Sequence, residues 1–276
     1  MTLRALDAAR GARYDSAGEH ILSMNHERRR SILVWGPTGS GKSLYLASLV
    51  MWLTRARDEP PFAVLPADDA TATWVAARGV PHTDGVALRA AAAPSRSPAF
   101  RIYSIADEPG PPARRSRVRA ELTVSDAGAG DRAPAGLDEA MGVMLLLPVE
   151  TMAATADARD HYVSWLTTTL ARLPPHGAVP PAVSIPVAVC LTQTDTAPDA
   201  VRRDPTGWLE SFGNETVRAL RAHCARFEVF KVSSLGRTPR RRDDVDVVIG
   251  GPEPRGVLAP IRWILAQHEA MSEAAA

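Results

Sequence analysis

Gly36-Pro37-Thr38-Gly39-Ser40-Gly41-Lys42-Ser43 stands between an apolar run, Ser31-Ile32-Leu33-Val34-Trp35, and a segment of helical periodicity. The run before it reads as a short buried strand ended by Gly36. After it, Leu44, Leu46, Leu49, Val50, Trp52 and Leu53 recur near a 3.6-residue period in residues 42–57. Strand, glycine loop and helix in that order predict the opening of an α/β domain with a phosphate site. The glycines let successive N–H groups point inward on an anion, and the helix adds the positive end of its dipole. Lys42 supplies a compact ammonium that arginine's flat fork does not reproduce. The chain holds only one other lysine, Lys231, among its 32 basic residues.

Composition removes several classes of function. Of 276 residues, 32 are basic and 31 acidic, leaving a net charge of +1 and no global bias towards nucleic acid. Cys190 and Cys224 are the only cysteines, too few for a disulfide framework or a metal cluster, and they read as core residues of a cytoplasmic protein. The longest apolar run, 141–149, is less than half of the roughly 20 residues a membrane span needs, and residues 1–30 lack the apolar centre of a secretory signal. No nucleophilic triad, paired glycosidase carboxylates or metal-spaced histidines are present in the sequence. The basic run at 237–242 is offset by Asp243, Asp244 and Asp246 and reads as a solvated loop, or else as a patch for a partner or an anionic lipid.

The remaining pattern alternates. Residues 1–30 form a polar lead-in, and 58–98, rich in Pro, Ala and Asp, is expected to be a loop-rich insertion. Strand-like runs follow at 100–105 and 118–125. The link between them holds three prolines and no helical pattern, so it is too short for a parallel crossover, and the second strand should run antiparallel to the third. Further strands are expected at 144–147, 185–191 and 227–232, with helices at 156–173, 206–224 and 257–267. The expectation is a three-layer αβα domain over 31–268, built on a mostly parallel six-stranded sheet with one antiparallel strand, and a short tail at 269–276.

Three sites besides the glycine loop carry chemistry. Ser43 and Asp126, the latter ending the third strand, supply hard oxygens suited to Mg²⁺. Thr192-Gln193-Thr194-Asp195 follows the fifth strand directly. A carboxylate there accepts two N–H groups from guanine, whereas adenine leaves it unpaired. Ser233-Ser234-Leu235-Gly236 follows the sixth strand, where a backbone N–H is expected to be able to meet a guanine 6-oxo group.

In these residues the chain resembles the P-loop GTPases of the TRAFAC class, and within it bacterial double-GTPase-type proteins. GPTGSGKS matches the phosphate loop, from Gly36, Pro37, Thr38, Gly39, Ser40 and Gly41 to Lys42 and Ser43. DAGAGD at 126–131 resembles the DxxG switch, TQTD the [NT]KxD motif in its glutamine form, and SSL the SA[KL] element. The resemblance covers residues 31–268. It implies GTP and GDP as ligands, Mg²⁺ as cofactor, hydrolysis of GTP, a protein effector or activating partner, and possible pairing with another GTPase subunit. It assigns the γ-phosphate contact to Gly128 or Gly130 and leaves the switch hydroxyl open among Thr71, Thr73, Thr83, Ser95 and Ser97. No glutamine follows the switch, so Asp131 is the nearest group to orient water beside Lys42, and turnover should be slow without a partner. Two other readings use the same loop: an ATPase or kinase with Thr192 and Asp195 as polar sensors, and a nucleotide-binding interaction module without turnover.

If Lys42 holds the phosphates, Lys42→Ala should cut nucleotide retention by about tenfold or more, the loss of one charge-assisted hydrogen bond. Equilibrium dialysis of the purified variant against labelled GDP checks this.

Overall fold

The computed structural model describes residues 31–52, 62–88, 98–105, 116–126, 137, 140–172, 185–211, 215–242 and 244–274. β1 (Ser31–Gly36) leads through the glycine loop into α1 (Lys42–Ala47), which widens into a π turn at Ser48–Trp52. Then come β2 (Phe62–Pro66), α2 (Asp69–Ala76), the hairpin β3 (Gly79–His82) and β4 (Gly85–Leu88), and the pair β5 (Ala99–Ile105) and β6 (Ser116–Asp126). β7 (Ala140–Pro148) is followed by α3 (Val149–Ala154) and α4 (Ala156–Arg172). After β8 (Val187–Thr192) come α5 (Asp199–Arg203), α6 (Pro205–Ser211) and α7 (Glu215–His223). β9 (Phe227–Lys231), the hairpin β10 (Arg240–Arg242) and β11 (Val245–Ile249), and α8 (Ala259–Ala274) complete the order.

The main sheet has seven strands in the order β2-β5-β6-β1-β7-β8-β9. β6, β1, β7, β8 and β9 are mutually parallel. β5 is antiparallel to both of its neighbours, to β6 as the short proline-rich link between them predicts. The three-layer α/β class and its single antiparallel strand are therefore as expected, while β2 adds a seventh strand at the edge. β7 and β8 are buried along their whole length, which is why they read as unbroken apolar runs rather than as alternations.

Helices cover both faces. One layer joins Ile32, Val34, Tyr45, Leu46 and Met144 to Trp74 of α2 and to Ile261 and Ile264 of α8. The other joins Leu33, Trp35, Leu145 and Val189 to Leu166, Leu209 and Leu220 of α4, α6 and α7. Trp35 packs edge to face on Trp165, with ring centroids 6.0 Å apart. Both cysteines are buried and free. Burial pushes the Cys224 thiol up to about 12 and that of Cys190 higher still, so both are inert.

Residues 58–98, expected to be mainly loop, instead contain β2, α2, β3 and β4. Strands of four residues are too short to show a period, and Asp68 caps α2 by accepting from the Thr71 N–H at 2.7 Å. β3 and β4 join β10 and β11 in a second, four-stranded antiparallel sheet of order β10-β11-β4-β3. The basic run at 237–242, expected as a loop, thus contains a strand. The closing helix runs on through the expected tail to Ala274. Among the described residues no helix is long and apolar enough to cross a membrane.

α1 is tied to the far end of the chain by one group. The fully buried Tyr45 donates its hydroxyl to the Val257 carbonyl at 2.7 Å, just before α8, and burial holds the phenol well above its usual range. Tyr45→Phe leaves that carbonyl without its donor and should lower the unfolding free energy by about 1–3 kcal/mol. A shift of the urea midpoint at unchanged slope checks it.

Candidate functional site

The glycine loop lies at the C-terminal edge of the central strand. β1 ends at Gly36, in register with Asp126 at the end of β6, so the two residues reach the edge of the sheet side by side. A Cβ on Gly36 would lie 2.5 Å from the Ser40 hydroxyl and 2.9 Å from the Leu146 carbonyl, so the loop packs against β7 only because this residue has no side chain. Gly41 has φ 84 and caps α1 from the left-handed region, which turns the chain straight into the helix at Lys42.

The loop closes on its own lysine. Lys42 is buried, and its ammonium donates to the Gly36 carbonyl at 2.7 Å and the Pro37 carbonyl at 2.9 Å. Thr38 and Gly39 form the exposed tip. Ser43 stands half-buried one residue into α1, on the same side of the sheet edge as the loop. Ser40 is fully buried, and its hydroxyl has no partner among the described residues.

The turn after β8 braces this loop from the next strand but one. Thr192, 2% exposed, carries its hydroxyl 2.8 Å from the Ser40 carbonyl and 3.2 Å from that of Leu147. Gln193 takes the left-handed conformation, φ 61, and its amide reaches the Gly39 carbonyl at 3.5 Å, while its Oε1 is buried without a described partner. Two buried acceptors without donors among the described residues, Ser40 Oγ and Gln193 Oε1, therefore border the loop, and buried groups of this kind pair with protein, ligand or water.

Asp195 is half-buried and accepts the Ser233 hydroxyl at 2.7 Å. That hydroxyl in turn accepts the Gly236 N–H at 2.7 Å, and the Thr238 hydroxyl donates to the Asp195 carbonyl at 3.4 Å. The turn after β8 and the turn after β9, 38 residues apart, thus meet through side chains. Ser234 is half-buried, and Leu235 is buried in the core layer that holds Tyr45 and Val257.

The structure brings the Gly36–Ser43 loop, Thr192, Gln193, Asp195 and Ser233–Leu235 to one edge, with Asp126 at the end of the neighbouring strand. Gly128, Gly130 and Asp131 lie outside the described residues, as do Ser95 and Ser97. Thr71 donates nothing to the loop. It is buried in α2, and its hydroxyl oxygen accepts the Ala99 N–H at 3.3 Å. One element of the site had no local signal. A strap at 253–255 clasps the turn after β9, with Ser233 and Arg255 exchanging backbone bonds at 3.0 and 2.8 Å and the Glu253 N–H donating to the Leu235 carbonyl at 2.7 Å.

No family model matches the chain, and no curated protein sequence matches it. Among solved structures it is similar to the signal recognition particle receptor SRb of Chaetomium thermophilum bound to GDP and Mg, at 17% identity over 87% of this chain and 98% of that one, with a TM-score of 0.38. The same receptor in its SRb-GTP/SRX complex gives 15% identity over 76% and 93%, TM-score 0.40. SsGBP in complex with GDP gives 13% identity over 86% of this chain and 52% of that one, TM-score 0.34, so this chain spans about half the length of SsGBP. At these scores the likeness is too distant to assign a role to any residue.

The Thr192 hydroxyl is the brace between two sheet positions and the loop. Thr192→Val keeps the shape and strands the buried Ser40 and Leu147 carbonyls, so stability should fall by about 1–3 kcal/mol. Thermal unfolding of the variant beside the parent checks this.

Proposed function

We propose that this chain is a cytoplasmic guanine-nucleotide-binding protein that holds GTP or GDP along the C-terminal edge of its parallel strands and hydrolyses GTP slowly, acting as a switch. The observation that carries the reading is the Asp195–Ser233 contact. It sets a carboxylate and a polar turn together at the same sheet edge as the glycine loop. A nucleotide is the ligand class that presents a hydrogen-bonding base and an anionic tail to such a pair.

Each group then has a task. N–H groups of the loop surround the phosphates, and Lys42, already oriented by two carbonyls, lays its charge across them. Asp195 accepts from the base while Ser233 holds one of its oxygens in place. Gln193 lays its side chain between base and loop, where its amide already reaches Gly39.

Mg²⁺ fits the donor set. Ser43 and the Asp126 position offer hard oxygens, and among the described residues no trio of His, Cys, Asp or Glu forms a protein cage. Mg²⁺ does not need one, since it keeps waters and takes phosphate oxygens. When bound, it would neutralise charge developing between the β- and γ-phosphates. On this reading the segments around 58–98 and 127–138 respond to the γ-phosphate, and a protein partner reads the difference and speeds turnover. Asp131 remains the proposed water-orienting group, with Gly128 or Gly130 against the γ-phosphate.

Replacing Asp195 by Asn swaps an acceptor for a donor at the base. Asp195→Asn should bind GDP about 10- to 100-fold more weakly, equivalent to about 1.5–3 kcal/mol, and should gain affinity for xanthosine diphosphate, whose 2-oxo group accepts from the new amide. Titration with fluorescent GDP, ADP and XDP analogues reads both. Unchanged base preference, or a parent protein that prefers ADP, would overturn the proposal.

A further inference from the structure

The arginines of residues 237–242 take no part in the nucleotide site, and the structure sorts them into two kinds. Arg237 is ion-paired with Glu253. Arg241 lies opposite Asp246 in the β10–β11 pair, with its guanidinium 3.5 Å from Asp246 and 3.9 Å from Asp244. Arg240 and Arg242 stand opposite Val247 and Val245, so they alternate to the other face of the strand. Both are exposed, and no described carboxylate pairs with either. Two guanidinium groups without a carboxylate partner among the described residues therefore share one face, one pleat apart.

β10 is also an end strand. Among the described residues it pairs with β11 alone, while β3 ends the sheet on the other side. The sequence of β3 contains Pro81, which has no backbone N–H to offer. β10 has no proline, and its guard is charge. Charge of one sign repels a second copy of the same strand but attracts a strand of the opposite sign.

We propose that β10 is a docking strand for an extended acidic segment of a partner protein, with carboxylates at alternate positions meeting Arg240 and Arg242. Side chains two residues apart in any extended chain lie about 6.6–7 Å apart on one face, so a Glu-x-Glu segment matches the arginine pair without strain. Each guanidinium fork takes a carboxylate in two parallel bonds. An anionic membrane fits less well. Lipid-binding patches gather about four to eight cations, and here Asp244, Asp246 and Glu253 neutralise the flanking arginines. The strand also follows the turn that carries Ser233–Gly236, and Thr238 reaches the Asp195 carbonyl, so a partner seated there adjoins the turns that carry Asp195 and Ser233.

The test is anisotropy titration of the full chain with a fluorescein-labelled Glu-Val-Glu-Val-Glu-Val-Glu peptide at low salt. Binding is expected, and it should weaken about tenfold or more in the Arg240→Glu/Arg242→Glu double variant, whereas Arg241→Gln changes it by less than about threefold. A Lys-Val-Lys-Val-Lys-Val-Lys peptide should bind the double variant and not the parent. If the double variant does not melt like the parent, the Arg240→Gln/Arg242→Gln pair replaces it, with the same expected loss. Failure of the parent to bind the acidic peptide overturns the proposal, as does equal binding by parent and double variant. Capture on phosphatidylserine vesicles that needs Arg240 and Arg242, without peptide binding, overturns it in favour of a membrane.

Discussion

The Lys42 ammonium sits on two carbonyls of its own loop, and that contact depends on everything beneath it. A buried charge is tolerated only with close oxygen partners, and the Gly36 and Pro37 carbonyls face inward because the loop turns tightly over β7. That turn needs the missing side chain at Gly36 and the left-handed cap at Gly41. It also needs β1 in the middle of the sheet, between β6 and β7, so that the loop springs from a strand paired on both sides rather than from an edge. The Thr192 hydroxyl adds a brace from β8.

The other half of the site is held differently. The turn after β9 leaves an edge strand, so it lacks a neighbour on one side. The strap at 253–255 supplies one, and the hairpin β10–β11 returns the chain to it. β11 pairs in turn with β4, and the Gly250 N–H donates to the Asp84 carbonyl at 2.9 Å. The turn after β9 is thereby linked through one small sheet to the stretch between α1 and β5. Backbone groups that would otherwise be buried unpaired find partners only in this way.

Much of the fold was legible in the sequence because it rests on local chemistry. The glycine loop needs particular residue types at fixed spacing within eight positions. The antiparallel β5 follows from a link too short and too rich in proline to hold a crossover helix. The turns at Thr192 and Ser233 follow apolar runs that end abruptly. β2, β3 and β4 were not legible, because strands of four or five residues in an alanine- and proline-rich stretch carry no period. The arginine run was ambiguous for a related reason. Its alternation becomes visible only when Val245 and Val247 stand opposite it.

The sequence by itself determined the glycine loop, the order of the parallel strands' elements and the residue types at each strand end, since each depends on side chains and backbone freedom within about ten residues. Only the tertiary structure decided that Asp195 meets Ser233, that the Thr192 hydroxyl reaches Ser40, and that two distant hairpins share a sheet. Those contacts join segments far apart in the chain, and the burial of otherwise unpaired hydrogen-bonding groups selects them.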